Sequence, residues 1–182
     1  MGIVLVLGGT KTGKTTFAEN RARTLSEEKN IPVHYIATAQ AIDQEMVHRI
    51  RKHQEKRPSH WITIEESYRV SEVINSLSGE DTVLILDCLT LLMTNLMFEK
   101  GDNCTREEAE SVVFTEVDNI IRESSKIKNE LIIISNQVEN GLVSEHEWAR
   151  MFQDITGMTH QRLAAAADRV FMMNAGLAQK LK

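Results

Sequence analysis

The stretch Gly8-Gly9-Thr10-Lys11-Thr12-Gly13-Lys14-Thr15 decides the fold, because it matches the pattern G-x-x-x-x-G-K-[ST] at every fixed position. A short apolar run, Ile3–Leu7, precedes it, and a segment with helical periodicity begins at Lys14. In that setting the backbone N–H groups of the loop and the positive end of the helix dipole converge on one anion. We therefore predict that this stretch, called the phosphate loop below, binds the phosphates of a nucleotide. The alternative is a plain glycine-rich turn between a strand and a helix.

Single residues of the phosphate loop have separate predicted roles. Gly8 and Gly13 permit the backbone conformations that such a loop needs. Lys14 would reach the β- and γ-phosphates, and the hydroxyl of Thr15 would ligate Mg²⁺. Asp87 ends an apolar strand-like run, where P-loop proteins usually place an acidic residue near the metal. We predict that Asp87 shares the metal site with Thr15; the alternative is that Asp87 caps the following helix.

Short apolar runs alternate with longer amphipathic segments along the chain. This alternation predicts βαβ units and an α/β protein with the P-loop NTPase fold: a single domain, residues 1–182, with a mainly parallel twisted sheet and helices on both faces. The predicted strands are Ile3–Leu7, Val33–Ala37, Trp61–Glu65, Val83–Asp87, Leu131–Ser135 and Val170–Asn174. The predicted helices are Lys14 to Glu28, Ile42 to Lys56, Tyr68 to Leu77, Leu89 to Phe98, Arg106 to Lys128 and Glu145 to Ala167. The tail after Gly176 could return as an antiparallel edge strand.

Three local signals concern the longer helices. Thr105 with Glu108, and Ser144 with Glu147, have the spacing of capping boxes at helix N-termini. Gly157 lies in the middle of the last predicted helix, which it could divide in two.

Composition excludes several classes of function. The net charge of −5 and the pI near 5.7 disfavour a nucleic-acid partner, which would require a basic face. The apolar start, Met1–Leu7, lacks a basic region and is too short for a signal peptide or a membrane span. Cys88 and Cys104 form neither a zinc pattern nor a disulfide framework. We expect a cytoplasmic protein without a membrane span.

A histidine occupies the apolar side of the predicted helix Ile42–Lys56. At 100° per residue, His53 falls within the stripe formed by Ile42, Met46 and Ile50, and Arg49 flanks it. A polar side chain directed toward the protein body is costly without a partner. One interpretation is a core histidine satisfied by a hydrogen bond. The other is a nucleophile for phosphate chemistry beside an arginine.

The sequence also resembles a known enzyme family over nearly its whole length. Besides the phosphate loop, the matching residues are Ala18-Glu19, Tyr35 to Ala39, Asp43, Glu45-Met46, Arg49-Ile50, His53, Arg57-Pro58, Trp61, Asp87 to Leu91, Asn95-Leu96, Gly157, Gln161 to Ala164, Ala167-Asp168, Gly176 and Leu181-Lys182. The spacing from Asp43 to Trp61 is specific to this family. On these residues the chain resembles adenosylcobinamide kinase / adenosylcobinamide-phosphate guanylyltransferase.

The resemblance implies two reactions at one phosphate loop. A nucleoside triphosphate, ATP or GTP, phosphorylates adenosylcobinamide, and GTP then transfers GMP through a guanylylated histidine, giving adenosylcobinamide-GDP. The nucleophile of the family falls on His53. The guanine-nucleotide contacts fall on the phosphate loop and on Ala37, Thr38, Ala39, Gln54, Glu55, Lys56, Arg57, Glu65 and Asp87. The resemblance also implies a homotrimer, and the apolar segment Leu89–Phe98 must lie deep in the domain or meet another subunit.

The chain departs from the family pattern at several positions. Where the family has Asn-Glu-Val-Gly after a strand, this chain has Asn136-Gln137-Val138-Glu139. Ser144 replaces a proline, and His160 replaces an asparagine that precedes the glutamine of the last helix. The carboxylate missing at Gln137 puts the loop geometry and the kinase reaction in question.

Two other functions remain open on the residues alone. A plain small-molecule or nucleotide kinase would use the phosphate loop and leave His53 structural. A regulatory module that binds nucleotide without turnover would not need Lys14, Thr15 and Asp87 together. Neither the choice between ATP and GTP as phosphate donor nor the corrinoid-binding residues follow from the sequence.

Overall fold

A computed structural model of the chain describes residues 2–41, 43–55, 57–101 and 104–182, and the side chains of Arg49 and His53 lie outside that description. Within those residues, seven strands form one sheet in the order β3-β2-β4-β5-β1-β6-β7. The strands are β1 (Ile3–Gly8), β2 (Val33–Ala37), β3 (Ile62–Glu65), β4 (Val83–Asp87), β5 (Leu131–Asn136), β6 (Arg169–Asn174) and β7 (Leu177–Lys180). All neighbours pair in parallel except β6 and β7. The predicted mainly parallel sheet and the antiparallel edge strand are both confirmed.

Helices cover both faces of this sheet, as predicted. They are α1 (Lys14–Lys29), α2 (Gln44–Gln54), α3 (Val70–Ser76), α4 (Leu89–Glu99), α5 (Arg106–Ser124) and α6 (Glu147–Ala166). Helix α1 packs through Ala18 and Ala22 on one face, against apolar side chains of β1, β2, β4 and β5. Helices α3, α4, α5 and α6 share the core of the opposite face. Strands β4 and β5 have no polar face because both of their sides are covered.

The register brings the predicted site residues to one edge. Gly8, at the end of β1, lies opposite Asn136 at the end of β5. Ala37, at the end of β2, lies opposite Asp87 on one side and Glu65 on the other. The carboxyl ends of these parallel strands therefore form a single edge, where open α/β sheets bind their ligands.

Two predicted helix signals are wrong and one is confirmed. Thr105 and Glu108 form the capping box of α5, each side chain bonding the backbone of the other. The Ser144 hydroxyl instead accepts from the N–H of His146, within an irregular loop, and α6 begins only at Glu147. Gly157 does not divide α6, which runs unbroken because its other residues supply a continuous buried stripe.

Several element ends differ from the prediction. Trp61 lies in a turn, its N–H bonded to Pro58, and β3 starts one residue later. Helix α5 stops at Ser124 rather than Lys128, because the next backbone N–H groups bond three residues back in tight turns. Asp43 accepts from the N–H of Met46 and starts α2. The predicted ends at Ile42 and Lys56 fall outside the described residues.

The apolar helix α4 is explained mainly by burial in this chain. Leu89, Leu92, Met93, Leu96 and Met97 belong to the core. Phe98 is 54% exposed and stacks on Trp148, with ring centroids 5.0 Å apart. Among the described helices, none combines the length and the apolar character that a bilayer crossing requires.

Candidate active site

The phosphate loop has the backbone shape that its glycines allow. Gly13 has a φ of 97° and is the N-cap of α1, and Gly8 has a φ of 152°. A Cβ atom at Gly8 would lie 2.6 Å from the carbonyl oxygen of Met173 and 2.7 Å from Oγ1 of Thr12. Neither position therefore accepts a larger residue without strain. The loop leads into the positive end of α1, as the prediction of an anion site requires.

Backbone hydrogen bonds attach the phosphate loop to its neighbours. The carbonyl of Gly8 accepts from the N–H of Gln137 at 3.0 Å. The carbonyl of Thr12 accepts from the N–H of Gly176 at 3.1 Å, in the turn between β6 and β7. Inside the loop, the Thr12 hydroxyl donates to the carbonyl of Gly9 at 2.9 Å. The loop is thus fixed on both sides, and the supporting role of the C-terminal hairpin was not predicted.

Lys14 lies inside the loop with its ammonium group close to the backbone. Its side chain is buried, and Nζ donates to the carbonyl of Gly9 at 2.6 Å. Burial lowers the pKa of Lys14, and the nearby carboxylate of Asp87 opposes that shift. A buried cation with few partners is ready to bind an anion, so this environment suits a lysine that contacts phosphates.

Asp87 faces the phosphate loop instead of capping α4. Its Oδ2 atom accepts from the hydroxyls of Thr15, at 3.4 Å, and of Tyr35. The N-cap of α4 is Cys88, which makes no side-chain cap. Burial, followed by the charge of Asp87, raises the pKa of Tyr35, so its hydroxyl stays protonated and donates. The capping alternative is therefore wrong, and Tyr35 is a site residue whose individual role was not predicted.

The oxygen atoms of Thr15 and Asp87 suit a Mg²⁺ ion. A hydroxyl and a carboxylate are the hard ligands that this ion takes, and it keeps several water or phosphate ligands besides. Both side chains are half-buried beside the phosphate loop. The residues present therefore fit the metal that the sequence predicts.

The segment Ala37–Ala39 is held beside Asp87 by Thr38. The Thr38 N–H donates to the carbonyl of Asp87 at 3.1 Å, and its hydroxyl bonds both backbone groups of Cys88. Asn95 donates to the carbonyls of Thr38 and Ser67, at 2.8 and 3.0 Å. This role of Asn95 was not predicted, because it depends on partners in distant segments of the chain.

Among the predicted contacts between the end of α2 and the end of β3, Arg57 is linked to Asp87 through Tyr35. The guanidinium of Arg57 lies 3.6 Å from the centroid of the Tyr35 ring, and its Nε is buried without a hydrogen-bond partner among the described residues. Gln54 donates to Glu65 at 3.0 Å, which attaches the end of α2 to the end of β3. Glu55 pairs with Arg51 along the exposed side of α2. Lys56 lies outside the described residues.

The backbone of His53 lies in the last turn of α2, one residue before Gln54. Its side chain and that of Arg49 are outside the description, so the predicted pairing of the two stays a prediction. Met46 and Ile50, which share the predicted stripe, are half-buried. The other side chains described on this helix are exposed.

The remaining histidines occupy other surroundings. His160 is 5% exposed, and both ring nitrogens are bonded, Nδ1 to Glu139 and Nε2 to Ser135. His34 is buried and bonds Thr82, which precedes β4 at the opposite edge of the sheet. His48, His60 and His146 are exposed. His160 has no free nitrogen with which to attack a phosphate.

Comparison with known proteins gives one family and several relatives. Residues 4–181 match the model of the family described as cobinamide kinase / cobinamide phosphate guanyltransferase. The chain is 34% identical over 185 residues to the bifunctional adenosylcobalamin biosynthesis protein CobU of Escherichia coli, covering 99% of each. It is 36% identical over 178 residues to the corresponding protein CobP of Pseudomonas aeruginosa, covering 98% of this chain and 96% of that one.

Two solved structures share the fold at low identity. The flagellar accessory protein FlaH of Methanocaldococcus jannaschii has a TM-score of 0.53 at 14% identity, over 100% of this chain and 78% of that one. A solved ATPase domain has a TM-score of 0.50 at 16% identity, over 94% of this chain and 68% of that one. They confirm the predicted fold class.

Proposed function

Because this chain belongs to the cobinamide kinase / cobinamide phosphate guanyltransferase family, we propose that it phosphorylates adenosylcobinamide and then transfers GMP to the product. The observation that carries the proposal is the meeting of Lys14, Thr15 and Asp87 at one edge of the sheet. The same phosphate loop serves both reactions, because each begins with a bound nucleoside triphosphate.

In the first reaction the hydroxyl oxygen of adenosylcobinamide attacks the γ-phosphorus, and the bond to the β–γ bridging oxygen breaks. The protein contributes position and positive charge: the loop N–H groups hold the phosphates, and Lys14 lies beside the β- and γ-phosphates. Thr15 and Asp87 would hold Mg²⁺, which would neutralise phosphate charge. Tyr35 orients Asp87 by donating a hydrogen bond to it.

In the second reaction an imidazole nitrogen of His53 attacks the α-phosphorus of GTP and pyrophosphate leaves. A phosphate oxygen of adenosylcobinamide phosphate then attacks the same phosphorus and releases the histidine. The position of His53 beside Gln54, which bonds Glu65 at the carboxyl edge, supports this role. The burial and bonding of His160 argue against the rival nucleophile. A covalent intermediate divides the joining of two bulky anions into two easier steps.

The rest of the nucleotide lies against two segments, the one that follows β2 and the one from the end of α2 to the end of β3. We assign contacts to Ala37, Thr38, Ala39, Gln54, Glu55, Lys56, Arg57 and Glu65, on the family resemblance. The unpartnered Nε of Arg57 supports a ligand contact, because a buried donor without a partner is costly. In keeping with the family, the enzyme works in the cytoplasm as a homotrimer.

The test is incubation with Mg²⁺ and GTP labelled at the α-phosphate. We expect one GMP on His53 through a phosphoramidate, which mild acid cleaves and alkali does not, unlike an ester on Ser or Thr. With adenosylcobinamide added, ATP or GTP labelled at the γ-phosphate should leave the protein unlabelled, and the accepted phosphate donor should label the corrinoid. A protein without α-label that still phosphorylates adenosylcobinamide would be a plain kinase, and an adduct on His160 would contradict the assignment to His53.

A further inference from the structure

Two residues that depart from the family pattern contact each other. The Oε1 atom of Glu139 lies 2.8 Å from Nδ1 of His160. The family resemblance implies a glycine and an asparagine at these two positions. On the other side of the ring, Nε2 of His160 lies 2.7 Å from the hydroxyl oxygen of Ser135. These three residues, the His160 bridge, join the end of β5, the loop after it and the middle of α6.

The carboxylate of Glu139 determines which nitrogen of the His160 ring donates a hydrogen bond and which accepts one. An ionised carboxylate only accepts, so Nδ1 carries a proton directed at Glu139, and a neutral ring then accepts from Ser135 at Nε2. Ser135 is fully buried and His160 is 5% exposed. Removal of one member therefore leaves a buried polar group without its partner, which costs more than the bond itself contributes.

The His160 bridge lies directly beside the phosphate loop. Ser135 and Glu139 enclose residues 136–138 of the chain, and the N–H of Gln137 donates to the carbonyl of Gly8 at 3.0 Å. The side chain of Gln153, on α6, donates to the carbonyl of Val138 at 3.2 Å. Helix α6 thus holds this short segment from two points, and the segment in turn holds the first residue of the phosphate loop.

We propose that Ser135, Glu139 and His160 are positioning residues that keep residues 136–139 against Gly8 and so preserve the shape of the phosphate loop. Glu139 and His160 are then one coupled change, because each supplies the other's hydrogen-bond partner at 2.8 Å. The proposal requires only that the phosphate loop binds a nucleotide. It does not depend on which reaction follows.

The experiment is a double-mutant cycle on the dissociation constant of a fluorescent GTP analogue with Mg²⁺. We expect Glu139→Gly and His160→Asn each to weaken binding about tenfold, since each leaves a buried partner unpaired. The double variant should bind the analogue at least about fivefold more tightly than the product of the two single losses in affinity predicts. Glu139→Gln should stay within about twofold of the parent protein, because its amide oxygen still accepts from Nδ1.

Asp154→Asn is the matched control. Asp154 lines the same cavity of about 290 Å³ as Glu139, but among the described residues its hydrogen bond is to the exposed Arg106, at 2.9 Å. We expect no change in binding. The thermal unfolding midpoint of every variant is measured first, and binding is assayed well below it. Loss of folded protein then does not imitate weak binding.

Additive effects of the two single changes would overturn the proposal, as would lower unfolding midpoints with unchanged nucleotide binding. If the single variants do not fold, the double variant decides: binding within about twentyfold of the parent supports coupling, and a larger loss contradicts it. The effects of the two changes on nucleotide binding could prove coupled while the parent protein fails to phosphorylate adenosylcobinamide. That result would support this inference and contradict the proposed function.

Discussion

The phosphate loop and the segment from Asp43 to Glu65 both supply predicted nucleotide contacts, yet they are held in different ways. The loop is attached by backbone hydrogen bonds on both sides, through Gln137 and Gly176, and its Lys14 is buried. Helix α2 presents only exposed or half-buried side chains among those described, and its end is attached through the pair of Gln54 and Glu65.

The difference separates two tasks of the proposed enzyme. Charge neutralisation on a triphosphate needs donors that are already in place, which the fixed phosphate loop supplies. A residue that forms and then releases a covalent intermediate must face two successive partners. Segments with few buried contacts open locally at a low cost in free energy, so we expect α2 to move more readily than the loop.

The largest expected effect comes from the fixed region. Lys14→Ala should lower both phosphorylation and guanylyl transfer by about 10³-fold, because both reactions lose the same cation beside the phosphates. Steady-state assays of each reaction measure this, and Lys180→Ala, on the exposed strand β7, is the control. Guanylyl transfer at the normal rate in Lys14→Ala would mean that the two reactions do not share one phosphate loop.

The next effect should separate the two regions. His53→Ala should abolish the GMP adduct and the guanylyl transfer, but leave phosphorylation within about twofold, because γ-transfer needs no protein nucleophile. His48→Ala, an exposed change on the same helix, should leave both reactions intact. An adduct that survives in His53→Ala would place the nucleophile elsewhere.

The two regions also differ in how far the sequence predicts them. The roles of Gly8, Gly13 and Lys14 follow from a local pattern whose strand-loop-helix setting is itself visible in the sequence. The four internal parallel strands β1, β2, β4 and β5 follow from their apolar runs. Such features depend on neighbours in the chain. The structure agrees with the four strands and with the backbone conformations of Gly8 and Gly13, and the contact of Lys14 with phosphates stays a prediction.

Contacts between distant segments could not be predicted from local sequence patterns. Tyr35 and Asn95 take their roles from tertiary partners, Asp87 for the first and Thr38 for the second. The Ser144–Glu147 signal failed because the chain around it stays irregular up to His146, whatever the local preference. Glu139 and His160 read as two unrelated departures, since only the fold brings them to 2.8 Å.

A moderate effect should follow from loosening α2. Gln54→Ala removes the hydrogen bond to Glu65 and should lower guanylyl transfer about two- to fivefold, with phosphorylation unchanged. Arg51→Ala is the control, because it breaks only the exposed pair with Glu55, and such pairs contribute little. Equal losses in both reactions would show that α2 supports the phosphate loop as well, and the contrast between the regions would be wrong.

The smallest effect concerns stability, and it should have the opposite sign to the effect on activity. Burial lowers the pKa of Lys14, so between that lowered value and the ordinary value the unfolded chain binds more protons than the folded chain. The free energy of unfolding due to this group therefore rises with pH across that window, and below it the buried charge is a constant cost.

Lys14→Met keeps the length of the side chain and removes the charge. In the absence of nucleotide it should raise the unfolding midpoint by about 2–4 °C, equivalent to about 1 kcal/mol, while abolishing both activities. Calorimetry with and without GTP and Mg²⁺ checks this, since the nucleotide should stabilise only the parent protein. A lower midpoint in Lys14→Met would mean that the bond from Nζ to the Gly9 carbonyl outweighs the cost of burying the charge.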